Sequence, residues 1–120
     1  MQMITSHVAN AIRRRIDELV ASDTVDREKP TLIVEACRQT DWASLTFVGA
    51  LVELDLRLEG GREAVAAAIA TLCNRLPDSD IPVAGHFVAD IQVVAGADAT
   101  FAAGDGVVRT LRIEALCIRD

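Results

Sequence analysis

From Val52 to Glu59 every second residue is aliphatic and every residue between is charged: Val52, Leu54, Leu56 and Leu58 alternate with Glu53, Asp55, Arg57 and Glu59. Only an extended strand sends successive side chains to opposite sides. The stretch is therefore a strand with one dry face and one wet face. Strands of parallel sheets are covered on both sides and read as unbroken apolar runs, whereas clean alternation belongs to antiparallel sheets covered on one side. The chain must build such a sheet and supply a cover for it.

Two helical patterns supply the cover. In the first, from Ile4 to Ala21, the residues Ile4, Val8, Ile12, Ile16, Leu19 and Val20 recur at three- and four-residue steps and form one stripe. The second opens after Gly60-Gly61, runs from Arg62 to Leu76 on Val65, Ile69, Leu72 and Leu76, and ends at Pro77. Ser22 to Pro30 is polar and reads as a loop.

Three further stretches read as strands. In Thr31–Arg38, Leu32, Val34 and Ala36 share one face, with Ile33, Glu35 and Cys37 on the other, and Gln39 to Asp41 reads as a turn. The strand holding the alternating segment spans Ser44 to Glu59. Its apolar parity shifts at Leu45, Phe47 and Leu51, which points to a bulge at Gly49. In Val83–Ala95, His86, Val88, Asp90, Gln92 and Val94 share one face. Gly96 to Gly106 is a loop with Asp98, Phe101 and Asp105, read either as a flap or as a hairpin turn at Asp105-Gly106. The last strand is Val107–Ile118, with Leu111, Ile113, Ala115 and Cys117 on its apolar face.

The order is α-β-β-α-β-β over a chain of 120 residues, the size of a single α+β domain spanning 1–120. It predicts an antiparallel four-stranded sheet with two helices on one face. A ferredoxin-like domain gives this order when its first strand is moved to the end of the chain, a circular permutation. The last strand is then central, between the second and the third, and the first lies at an edge. The rival is a curved, barrel-like sheet, because the second strand is long for a small open one.

Net charge is −6 and the isoelectric point is about 4.8. Nucleic-acid and anionic-membrane partners need a basic footprint, so neither is expected. The one basic run, Arg13-Arg14-Arg15, precedes Asp17 and Glu18 and reads as a solvated helix face with Arg14 and Glu18 paired at i,i+4. Cys37, Cys73 and Cys117 are odd in number and widely spaced, with no zinc pattern. They read as small buried hydrophobes of a reduced, cytoplasmic protein. The N-terminal stretch carries too many charges for a signal peptide. Lys29 is the one lysine against eleven arginines, a composition typical of a GC-rich bacterial genome.

The wet face of the sheet is the candidate working surface. By the parities above it presents Glu35, Glu53, Asp55, Arg57, His86, Asp90, Gln92, Arg112 and Glu114. It reads in three ways: a solvated salt ladder, a self-association surface flanked by Ile33, Val88, Val94, Leu116 and Ile118, or a ligand site. A ligand site would draw on His86, Asp90, Arg112, Glu114, Glu53 and Asp55. His86 and Asp90 lie about 13 Å apart along one strand, so only a cross-strand partner such as Glu114 or Arg112 completes a site. His7 is a weaker candidate. No metal site, cofactor motif or phosphate loop is present in the sequence. The leading expectation is a non-catalytic, self-associating module, with a homodimer favoured and a small-molecule ligand possible. One alternative is a small enzyme around His86, Asp90, Arg112 and Glu114. The other is a structural subunit of a larger assembly.

Overall fold

A computed structural model describes residues 6–22, 29–96, 100–101 and 106–120. Helix α1 spans His7–Ser22, strand β1 Thr31–Ala43, β2 Val48–Gly61, helix α2 Arg62–Arg75, β3 His86–Ala95, the two-residue β4 Thr100–Phe101, and β5 Gly106–Arg119. The four long strands form one antiparallel sheet in the order β1-β2-β5-β3, and β4 pairs with β5. This is the permuted ferredoxin-like arrangement, with the last strand central and both helices on one face. The sheet stays open, with β1 and β3 at its two edges, so the barrel-like alternative is overturned.

Each helix starts and stops for local reasons. Ser6 Oγ accepts the Ala9 N–H at 3.2 Å, capping α1, and Ser22 Oγ donates to the Leu19 carbonyl at its other end. Glu63 in the first turn of α2 and Arg75 in its last complement the helix dipole. Leu76 closes α2 and Pro77 prevents its continuation. Along α1, Arg13 pairs with Asp17 and Arg15 with Glu18, rather than Arg14 with Glu18 as the i,i+4 spacing suggested. Arg15 also donates to Ser79 Oγ at 3.2 Å, tying α1 to the turn after α2.

Between helices and sheet lies a core without buried polar side chains among the described residues. Ile12, Ile16 and Leu19 come from α1, Val65, Ala68 and Leu72 from α2, Leu54, Leu56 and Leu58 from β2, and Leu111, Ile113 and Cys117 from β5. Each fully buried Leu or Ile stabilises the fold by about 1.5–3 kcal/mol. Burial pushes the Cys117 thiol up to about 11. Cys73, by contrast, is exposed, so the reading of all three cysteines as buried hydrophobes fails at that position.

Two bulges and one turn rewrite the face assignments. A register shift between Val34 and Ala36 leaves Glu35 as the extra residue, so Cys37 joins Val34 on the helix side and Ala36 crosses to the open face. A second shift between Val88 and Asp90 does the same at Ala89. His86 and Val88 therefore face the helices, while Phe87, Asp90, Gln92 and Val94 share the open face. Gly85, at φ +75°, makes a tight turn in which the His86 N–H donates to the Val83 carbonyl, so β3 starts at His86 and not at Val83.

No bulge lies at Gly49: β2 keeps unbroken register with β5 from Gly49 to Gly61. The glycine is needed for a different reason, since a Cβ there would collide with the Cys117 carbonyl. Nor do Gln39–Asp41 make a turn. β1 runs on to Ala43 and forms with β2 a hairpin that outruns the helices, drawing the molecule out to 52 × 24 × 21 Å.

Gly49→Val should destabilise the protein by about 2 kcal/mol or more, because the paired backbone must move. Gly61→Ala, where nothing lies within 4 Å of the added atom, should stay within about 0.5 kcal/mol. Urea unfolding of both variants checks the contrast. Equal losses would refute the close-approach account of Gly49.

Candidate functional site

The open face can be followed row by row across the strands. Ala36, Asp55, Arg112 and Val94 form one row, Arg38, Glu53, Glu114 and Gln92 the next, then Thr40, Leu51, Leu116 and Asp90, and finally Trp42, Gly49, Ile118 and Phe87. The face is thus charged in its middle and apolar toward the hairpin end.

In the charged middle, two arginines and two carboxylates alternate. Arg38 Nη1 donates to Asp55 Oδ2 at 3.0 Å and lies 3.8 Å from Glu53. Arg112 Nε donates to Asp55 Oδ1 at 2.9 Å and lies 3.7 Å from Glu53. Glu53 and Asp55 are therefore each gripped from both neighbouring strands. A separate set joins Arg57 to Glu35 at 3.4 Å and to Glu59 at 3.0 Å. The hydrogen bond from Arg38, joined by that from Arg112, holds the Asp55 carboxyl below the usual carboxylate range, against the opposing effect of partial burial. The same bond raises the Arg38 guanidinium. Glu53 and Glu114 stand directly opposite each other, a like-charge pair that Arg38 and Arg112 offset from either side of Glu53. An open depression of about 480 Å³ adjoins the cluster, lined by Glu35, Asp55, Val94, Thr110 and Arg112 among others.

The candidate residues divide. Glu53, Asp55 and Arg112 meet in one network, and Glu114 lies beside it. Asp90 is two rows away, paired across with Leu116 and accepting a hydrogen bond from Gln92. His86 is on the opposite face. Its ring packs edge-on against His7 with centroids 5.5 Å apart. His86 Nδ1 and His7 Nε2 both point at the Ala84 carbonyl, at 3.3 and 3.2 Å. That oxygen only accepts, so each of these nitrogens carries a proton. The parity that put His86 beside Asp90 fails because of the bulge at Ala89. Among the described residues no group of three or more His, Cys, Asp and Glu side chains is placed to hold a metal ion. No described helix is long and apolar enough to cross a membrane. The loop from Gly96 to Gly106, apart from its two ends and β4, lies outside the described residues.

Two features of the site escape the alternation pattern. Arg38 belongs to it only because the bulge at Glu35 inverts the parity of β1, carrying Arg38 from the face of Leu32 and Val34 to the open one. The other is the hairpin tip, where Leu45 is fully exposed and Phe47 and Val48 are half exposed. The two-residue Leu45-Thr46 loop is closed by Ser44, whose N–H donates to the Phe47 carbonyl at 2.8 Å while its Oγ accepts the Phe47 N–H at 3.1 Å. Its Ser-Leu-Thr-Phe sequence lacks the Gly, Asn and Asp of an ordinary solvent-facing hairpin. That missing turn signal is what the sequence offers for finding it.

No family model and no curated protein matches the chain. Among solved structures, it is similar to a chain of the "Virion of native gene transfer agent (GTA) particle", with a TM-score of 0.59 and 17% identity over 92% of this chain and 91% of that one. At that identity the likeness is one of fold.

Asp55→Asn should lower stability at neutral pH, most at low salt. Because the folded pKa of Asp55 is depressed, its contribution is complete above the ordinary carboxylate range and is lost as pH falls through the depressed value. The gap between wild type and variant should therefore close on acidification. Denaturant midpoints measured across pH check this, and a gap that stays constant would refute the role given to Asp55.

Proposed function

We propose that this chain is a non-catalytic structural subunit that associates with other copies in a larger, particle-like assembly. The observation that carries this reading is the apolar hairpin tip. A two-residue loop that presents Leu45 wholly to water, with Phe47 and Val48 half exposed beside it, costs solubility and brings an isolated monomer nothing. It gains a purpose when another subunit covers it. The likeness of fold to a chain of a gene transfer agent virion, itself a multi-subunit particle, supports the same reading.

The open face adds support of a different kind. Its arginines are engaged with carboxylates of the same chain, as in the bonds of Arg38 and Arg112 to Asp55. Acids outnumber arginines there, which disfavours a nucleic-acid or phosphate ligand. An enzyme centred on His86, Asp90, Arg112 and Glu114 draws no support from the geometry, because His86 stands behind the sheet from the other three. The reading as an interaction module is kept, and its partner is narrowed to further subunits.

Size-exclusion chromatography with light scattering, followed by electron microscopy of the peak, tests the proposal. Discrete rings, stacks or filaments well above the monomer mass are expected. A protein that stays monomeric at every concentration would overturn it.

A further inference from the structure

Resting on the structural-subunit reading, we infer which surfaces join one copy to the next: the free edge of β1 pairs with the free edge of β3 in a neighbouring copy, and the β1–β2 hairpin tip seats in the groove beside the neighbour's Phe87.

The sheet has two open edges. Among the described residues β1 pairs with β2 alone, and β3 pairs in register with β5 alone. Neither edge strand contains a proline or a lysine, the usual guards against pairing, and each is interrupted by one bulge.

The edges fit each other in direction. Three antiparallel steps separate β1 from β3, so the two run in opposite senses. A second copy in the same orientation sets its β1 antiparallel to the first copy's β3, and the alternation of the sheet continues without a break.

They also fit in chemistry. At equal level across the sheet, Trp42 corresponds to Phe87, Thr40 to Asp90 and Arg38 to Gln92. Side by side, an unshifted neighbour places an aromatic pair at one end and Arg38 diagonally from Asp90 below it.

The hairpin tip selects this arrangement over a two-fold one. A depression of about 460 Å³ is lined by Ile81, Pro82, Ala84, Phe87 and Val88 among others, with Asp80 also in its wall. Phe87 and Val88 point to opposite faces of β3, so the depression opens along the edge itself. It lies at the same end of the sheet as the tip, past Phe87, where the neighbour's Leu45 and Phe47 project about 10 Å beyond Trp42. Pairing β1 with β1 about a two-fold axis would instead point the two tips in opposite directions and leave both in water. Tip and groove are different surfaces of one chain, so the contact is heterologous and propagates into a ring or a filament.

Native mass spectrometry on Leu45→Asp, which spoils the tip, and Ala84→Arg, which spoils the groove, decides the matter. Both positions are exposed, and circular dichroism verifies that both variants fold. Wild type should show species above the dimer, and each variant alone should be monomeric. Their equimolar mixture should form a heterodimer and nothing larger, because the Leu45→Asp chain retains a groove and the Ala84→Arg chain retains a tip. Wild-type-like assembly of Ala84→Arg, or a mixture that stays monomeric, overturns the inference. Should wild type and both variants all assemble, the subunit reading stands and this interface falls. Should wild type itself be monomeric, both fall.

Discussion

The register between β2 and β5 is the constraint on which the rest of the structure depends. Thirteen consecutive residues of β2, Gly49 to Gly61, pair with Ile118 to Gly106 without a slip. Side-chain period and strand period are both two, so a one-residue slip would carry every core leucine of β2 into water. Unbroken register puts Leu54, Leu56 and Leu58 opposite Ile113, Leu111 and Arg109, and the two helices need only lay their stripes on the ridge so formed. It also dictates that the charges between those leucines all emerge on the other side.

That consequence shapes the open face. Charged side chains on adjacent central strands sit close together, and unrelieved repulsion there would weaken the pairing that the core requires. The chain resolves this by interleaving sign: Asp55 is held by Arg38 from β1 and Arg112 from β5, and Glu53 is flanked by the same two arginines while facing Glu114. The depressed Asp55 carboxyl records that cooperation. The network reads first as a device for keeping a wet face on a central strand pair, and its satisfied arginines leave little free charge for capturing a ligand.

Alternation and helical stripes made the element order and the one-sided antiparallel sheet legible in the sequence, whereas the central place of the last strand followed only from the likeness of that order to a permuted ferredoxin-like domain. What they could not show is where alternation breaks. Glu35 and Ala89 look like ordinary strand residues, and a bulge is set by the pairing partner and not by a local signal. Each bulge inverts the parity beyond it, which moved His86 off the open face and Cys37 onto the helix side. Gly49 looked like a bulge and proved to be a point of close backbone approach, since a glycine marks either equally well. The Arg38 contribution was hidden by the same inversion at Glu35, and Gln39-Thr40-Asp41, of turn composition, continues as strand through its pairing with Val52, Leu51 and Ala50.

The hairpin explains the length that made a barrel plausible. A strand of fourteen residues can be accommodated by coiling the sheet or by running past the layer that covers it. Here helix cover ends near Ala50, and Asp41, Ala43 and Val48 stand exposed on what was the dry side of the sheet. Beyond that point the helices bury nothing of the hairpin and only Trp42 and Gly49 are half-buried, yet its tip is apolar. A chain under selection only to fold and stay dissolved would carry polar turn residues there. Aliphatic and aromatic side chains beyond the edge of the protein's own core argue that the missing part of that core lies on another molecule. The even number of long strands supplies the geometry by which an identical molecule can bring it.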